Sequence, residues 1–75
     1  MIHEYDRVIF TEDMPEHHLA AGDVGTVVHV YKGGAAFEVE VFTLDGQTFD
    51  VVTVEAAQVR PVTPRDVQHA RVLSA

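Results

Sequence analysis

The sequence has no cysteine and no tryptophan, only two tyrosines, and five lysines and arginines in 75 residues. Without cysteine there is neither a disulfide framework nor a thiolate metal site, so an apolar core must hold the domain, and a reducing compartment suits it. With so few aromatics there is no Tyr- and Trp-lined groove for a proline-rich ligand. Twelve acids against five cations leave a net charge of −7 and a pI near 4.9. Such a surface repels phosphate and favours basic partners, and no basic run with interleaved aromatics offers a nucleic-acid footprint. No apolar run reaches membrane-spanning length, and Met1-Ile2-His3-Glu4-Tyr5-Asp6 lacks the basic start and apolar run of a secretion signal. The expectation is a soluble cytoplasmic protein with no nucleic-acid and no membrane partner.

What the chain does have is a hydrophobic content of 47%, enough for one small domain. A chain this short buries only about 60% of the surface its unfolded form exposes, so each large side chain counts. The pattern predicts five strands: Tyr5 to Thr11, Val24 to Lys32, Ala35 to Thr43, Thr48 to Val54 and Val59 to Val62. Residues Glu12 to Gly22 form a long polar loop broken by Pro15 and anchored by Leu19. Glu55-Ala56-Ala57-Gln58 reads as a single helical or 3₁₀ turn, and Pro61 marks the last strand as an edge. In the second strand Val27, His29 and Tyr31 share one face, with His29 half-buried. In the third, Phe37, Val39 and Val41 face the core while Glu38, Glu40 and Phe42 face outward.

The turn between the third and fourth strands has two candidate forms. A two-residue Asp45-Gly46 turn pairs Glu40 with Val51 and leaves Phe49 and Val51 on the acidic face. A three-residue Leu44-Asp45-Gly46 turn, with Gly46 left-handed, pairs Glu40 with Asp50 and puts Phe49 and Val51 in the core. Burying two large side chains favours the second by roughly 3–6 kcal/mol. Its cost is like charge opposite like charge at Glu40 and Asp50.

Gly22-Asp23-Val24-Gly25-Thr26-Val27-Val28 is a glycine-punctuated turn running into a β-branched strand. With the strand order it predicts an all-β fold, a small five-stranded SH3-like (KOW-like) barrel over residues 1–62 with a one-turn 3₁₀ helix before the last strand. Together with Met14-Pro15-Glu16-His17 through Leu19, Phe37-Glu38-Val39-Glu40-Val41, Asp45-Gly46 and Gln58-Val59-Arg60-Pro61, it resembles a family of small bacterial proteins known as domain of unknown function 4926. The resemblance covers Tyr5 to Val62. It implies an SH3-like fold, no assigned catalysis, and partnership with a neighbouring small protein in the manner of antitoxin or immunity pairs. The family pattern has glycine where this chain has His18, so a site built on the His17-His18 pair would be peculiar to this protein. Residues 63–75 lie outside the resemblance. There Thr63 as N-cap, Pro64 at the first helical position and Asp66 in the first turn predict a C-terminal helical tail to about Leu73. A helix this short needs Val67, Ala70 and Leu73 to pack on the barrel, on a partner or on a second copy, which makes the tail a route to a homo-oligomer.

No site for catalysis emerges. The hydroxyls (Thr11, Thr26, Thr43, Thr48, Thr53, Thr63, Ser74, Tyr5, Tyr31) sit in no nucleophile elbow, and His3, His29 and His69 have no catalytic partner. Adjacent His17 and His18 in a loop seldom reach one ion together, so neither a metal nor another cofactor is expected. The candidate partner-binding residues are Glu38, Glu40, Phe42 and Asp50, an acidic face beside an aromatic that suits a basic, partly apolar protein. The leading expectation is thus a non-enzymatic, acidic protein-interaction module of antitoxin or immunity type. The alternatives are a KOW-like accessory domain of a nucleic-acid or enzyme assembly, on the Gly22-x-x-Gly25 motif, and a metal-binding regulator, on the histidine pair.

Overall fold

The β-branched runs of the sequence become five antiparallel strands: β1 (Arg7–Phe10), β2 (Val24–Tyr31), β3 (Ala36–Phe42), β4 (Thr48–Glu55) and β5 (Val59–Pro61). They are seen in a computed structural model that describes residues 1–73. The strands make one sheet in the order β4-β3-β2-β1-β5. β2 is long enough to serve both halves. Its start pairs with β1 (Ile9 opposite Val24, Arg7 opposite Thr26), and from Thr26 to Tyr31 it pairs with β3.

Apolar residues from every strand, including both edges, meet in one cluster: Val8, Phe10, Val27, Phe37, Val39, Val41, Val52, Val54 and Val59, all buried. The sheet therefore curls over its own core. The expected closed barrel is not formed, because β4 and β5 pair only with β3 and β1 respectively. β5 is three residues long and ends on Pro61, which has no N–H to donate. The first loop closes the core from one end. Met14 and Leu19 form an isolated bridge and are both buried, and a 3₁₀ turn at Pro15–His17 lies between them. Leu19 is the anchor expected of it; Met14 is a second. The other 3₁₀ turn, Ala56–Gln58, falls where the sequence places it, and Gln58 Oε1 accepts the Glu55 amide at 2.8 Å.

Gly25 is needed for packing. A Cβ there would collide with Cγ1 of Val39 and stand 3.2 Å from the carbonyl of Glu40.

Three expectations are corrected. In β2 a bulge between Val27 and His29 breaks the alternation, so Val27 is buried in the core while His29 and Tyr31 lie on the exposed outer face. In the hairpin of β3 and β4 both registers occur. Gly46 is left-handed (φ 87°) and Phe42 pairs with Thr48, as the three-residue turn requires. A bulge then intervenes, and from Val41 onward the strands take the other register, with Val41 opposite Asp50, Glu40 opposite Val51 and Val39 opposite Val52. The reason is burial. A straight β4 turns either Phe49 and Val51 inward or Val52 and Val54, whereas one bulge lets half-buried Phe49 pack on the core together with both buried valines. Val51 is left 43% exposed.

The C-terminal helix is likewise absent. Its start signal forms one turn: Thr63 Oγ1 accepts the Arg65 amide at 3.3 Å, and Asp66 Oδ2 accepts the Thr63 amide at 2.7 Å. Beyond that turn the chain runs on to Leu73 without regular structure, with Val67 and Val72 more than 90% exposed. A helix under about 12 residues propagates poorly, and here its polar side chains are drawn elsewhere. Arg60 takes the Asp66 carboxylate, while His69 and Arg71 reach back to Asp23. Ser74 lies outside the described residues.

Candidate functional site

The exposed outer face of the sheet gathers His29 and Tyr31 from β2, Glu38, Glu40 and Phe42 from β3, and Val51 and Thr53 from β4. Alternation along β3 puts the two carboxylates and Phe42 on this side because Phe37, Val39 and Val41 must point inward. Glu38 Oε1 accepts the hydroxyls of Thr53 at 2.6 Å and Tyr31 at 3.2 Å, one from each neighbouring strand. Thr48 donates to Glu40 Oε2 at 2.6 Å. Tyr31 in turn stacks edge-on to His29, ring centroids 4.5 Å apart, and partial desolvation with the adjacent Glu38 carboxylate pushes its phenol up. Both carboxylates are held in place by hydroxyls, and each keeps a second oxygen for a ligand. Apolar surface borders them, with Tyr31, Phe42 and Val51 each 37–47% exposed.

Three of the four expected residues, Glu38, Glu40 and Phe42, thus share a face. Asp50 does not. The bulge in β4 sets it opposite Val41 on the inner side of the sheet, where its Oδ2 lies 3.1 Å from Nδ1 of His17. The expected repulsion between Glu40 and Asp50 disappears, since Glu40 faces Val51. His17 is tied to β4 in this way, while His18 turns left-handed (φ 58°) to end the 3₁₀ turn. Among the described residues no group of three or more metal-ligating side chains comes together.

A second arrangement has no counterpart in the sequence reading. Among the described residues Asp23 is the one charged residue in the interior, 8% exposed. Arg71 grips its carboxylate at both oxygens (Nε to Oδ1 2.9 Å, a terminal guanidinium nitrogen to Oδ2 2.6 Å), His69 Nε2 lies 3.1 Å from Oδ1, and the Ala20 amide donates to Oδ2 at 2.9 Å. Burial pushes the Asp23 carboxyl up, but the hydrogen bonds from Arg71, Ala20 and His69 outweigh it and hold the group below the ordinary carboxylate range. Gly22 makes room for the clasp, as a Cβ there would stand 2.9 Å from Cε1 of His69. Beside the clasp runs an open cleft of about 780 Å³ between the C-terminal segment and the rim of the sheet, lined by Val24, Val41, Phe42, Leu44 and Phe49 among others. The sequence signal was the isolated Asp inside the Gly22–Gly25 turn, but its partners lie 46 and 48 residues away.

The fold and site define a small all-β domain with an acidic outer face and no helix long and apolar enough to cross a membrane among its described residues. The chain belongs to the family described as domain of unknown function (DUF4926), whose model matches residues 4–61. Comparison with curated proteins and with solved structures gave no match.

Proposed function

We propose that this protein is a non-enzymatic interaction module that binds a basic protein through the outer face of its sheet. The observation that carries the reading is the pair of carboxylates fixed by hydroxyls beside exposed aromatic and aliphatic side chains: Glu38 with Tyr31 and Thr53, Glu40 with Thr48, Phe42 and Val51 alongside. Ordering these acceptors in the free protein lowers the entropy lost when a lysine or arginine docks, and the apolar border supplies desolvated contact. The net charge of −7 steers basic partners towards it. In this reading the fold is an SH3-like, half-open barrel, supported by the order β4-β3-β2-β1-β5, the long first loop and the 3₁₀ turn before β5. It acts in a bacterial cytoplasm as the acidic member of an antitoxin or immunity-type pair. The test is retention on immobilised protein followed by mass spectrometry. A basic protein held by the wild type and lost from the Glu38→Gln, Glu40→Gln double variant is expected; equal retention by both sinks the reading.

A further inference from the structure

We propose that the Asp23 carboxylate and the cleft beside it are a binding site for an arginine carried on an extended peptide segment of a partner, and that the chain's own residues Gln68 to Leu73, which wall the cleft and seat Arg71 on Asp23, act as a removable plug. The site is built like a guanidinium receptor. A buried carboxylate presents both oxygens to the fork of Arg71, and the carbonyl of His18 accepts a third guanidinium bond at 2.9 Å. Planar, two-point pairing of this kind selects arginine over lysine. Arg71 stands where the 780 Å³ cleft meets a smaller depression of about 340 Å³ bounded by Asp13, Pro15, His18 and Ala20, and its side chain lines both.

The plug is held weakly everywhere else. Among the described residues no backbone amide or carbonyl from Val67 to Leu73 hydrogen-bonds to the protein, and Val67 and Val72 are more than 90% exposed. A segment with few buried contacts and no backbone pairing opens at low cost. The matched family domain ends at residue 61, so the receptor lies within the domain and the plug outside it. Charge favours an exchange partner that is basic, because the chain is strongly acidic. This site adjoins the outer face at Phe42, which borders both, but its receptor group is Asp23 and that of the outer face is the Glu38 and Glu40 pair, so each is tested with its own probe.

The probe is a fluorescent peptide with the sequence of residues 66–73, titrated by anisotropy into the full chain. Arg71→Ala frees the receptor and is expected to bind at least roughly tenfold more tightly than the wild type, whose tethered plug competes at high effective concentration. Asp23→Asn placed in the Arg71→Ala chain should abolish binding, and a peptide with lysine for arginine should bind markedly less. Nitrogen-15 spectra of the wild type provide an arm without any variant: at millimolar peptide, the amides of Ala20, Gly22 and Asp23 should shift and those of residues 67–73 should move to free-chain positions. Peptide binding that is equal in wild type and Arg71→Ala, or no shift at those amides, overturns the proposal. So does a dimer in sedimentation whose dissociation opens the site, since the occupant would then be a second copy.

Discussion

Arg71 grips both carboxylate oxygens of Asp23 across 48 residues of chain, and this pair fixes the C-terminal segment to the turn that opens β2. Losing Arg71 leaves a largely buried carboxylate with two remaining partners, Ala20 and His69. Arg71→Ala should destabilise the domain by about 1–3 kcal/mol, less than a fully buried pair would cost because the Arg71 side chain is 32% exposed. Urea denaturation of the two proteins at neutral pH checks this.

The same pair makes stability depend on acid in a defined direction. The carboxyl of Asp23 titrates lower in the folded chain than its unfolded value of about 3.9. Its contribution is therefore complete above that value and disappears as pH falls through the lower folded one. Asp66, held below the ordinary range by Arg60 and the Thr63 amide, adds in the same sense. Between about pH 5 and pH 3 the wild type should lose more of its urea midpoint than Asp23→Asn does, since the variant has no carboxyl left to protonate at that position. Equal losses would mean that Asp23 does not carry the effect.

The register of β4 gives a sharp contrast between neighbours. Val52 is 1% exposed and Val51 43%. Val52→Ala should cost about 2–3 kcal/mol from lost transfer energy and the cavity left behind, whereas Val51→Thr should change stability by less than about 0.5 kcal/mol. Phe49→Ala should fall between them. Thermal melts of the three variants decide it; a costly Val51→Thr with a cheap Val52→Ala would restore the straight three-residue-turn register.

The contrast also shows why part of the hairpin was hidden. The alternation of Phe37, Val39 and Val41 in β3 leaves one way to face the core, and the left-handed Gly46 follows from its turn. Weighing Phe49 and Val51 against a polar face selects the right turn. It misses that Val52 and Val54 compete for the same interior, a conflict that only a bulge relieves. Asp50 left the candidate face for that reason, while Glu38, Glu40 and Phe42, set by β3 alone, stayed on it. The tail failed differently. Thr63, Pro64 and Asp66 are a genuine helix start, yet nothing local in the sequence shows that Asp23, far upstream, recruits His69 and Arg71.

Nucleic acid should not bind at physiological salt. Two of the five cations, Arg60 and Arg71, are paired with Asp66 and Asp23, and the remaining charge is strongly negative. Fluorescence anisotropy with mixed-sequence RNA and DNA should stay flat; micromolar, salt-sensitive binding would favour the KOW-like accessory role.

If the outer face is the binding surface, fold and function separate under mutation. Glu38→Gln removes charge from a half-buried side chain whose Oε1 is held by two hydroxyls, so an amide oxygen keeps those bonds and stability should change by less than about 0.5 kcal/mol. Affinity for the recovered basic partner should fall, and the loss should shrink as salt rises, because part of the attraction is long-range. Phe42→Ala should weaken the complex by an amount that salt hardly changes, since what it removes is apolar contact. Asp50→Asn is the internal control. It loosens the tie to His17, a pair about one-third exposed on each side and worth at most about 1 kcal/mol, and should leave affinity untouched. Titration calorimetry at two salt concentrations reads all three variants. Should Asp50→Asn be the damaging change and Glu38→Gln the silent one, the binding surface would lie on the inner rim around His17.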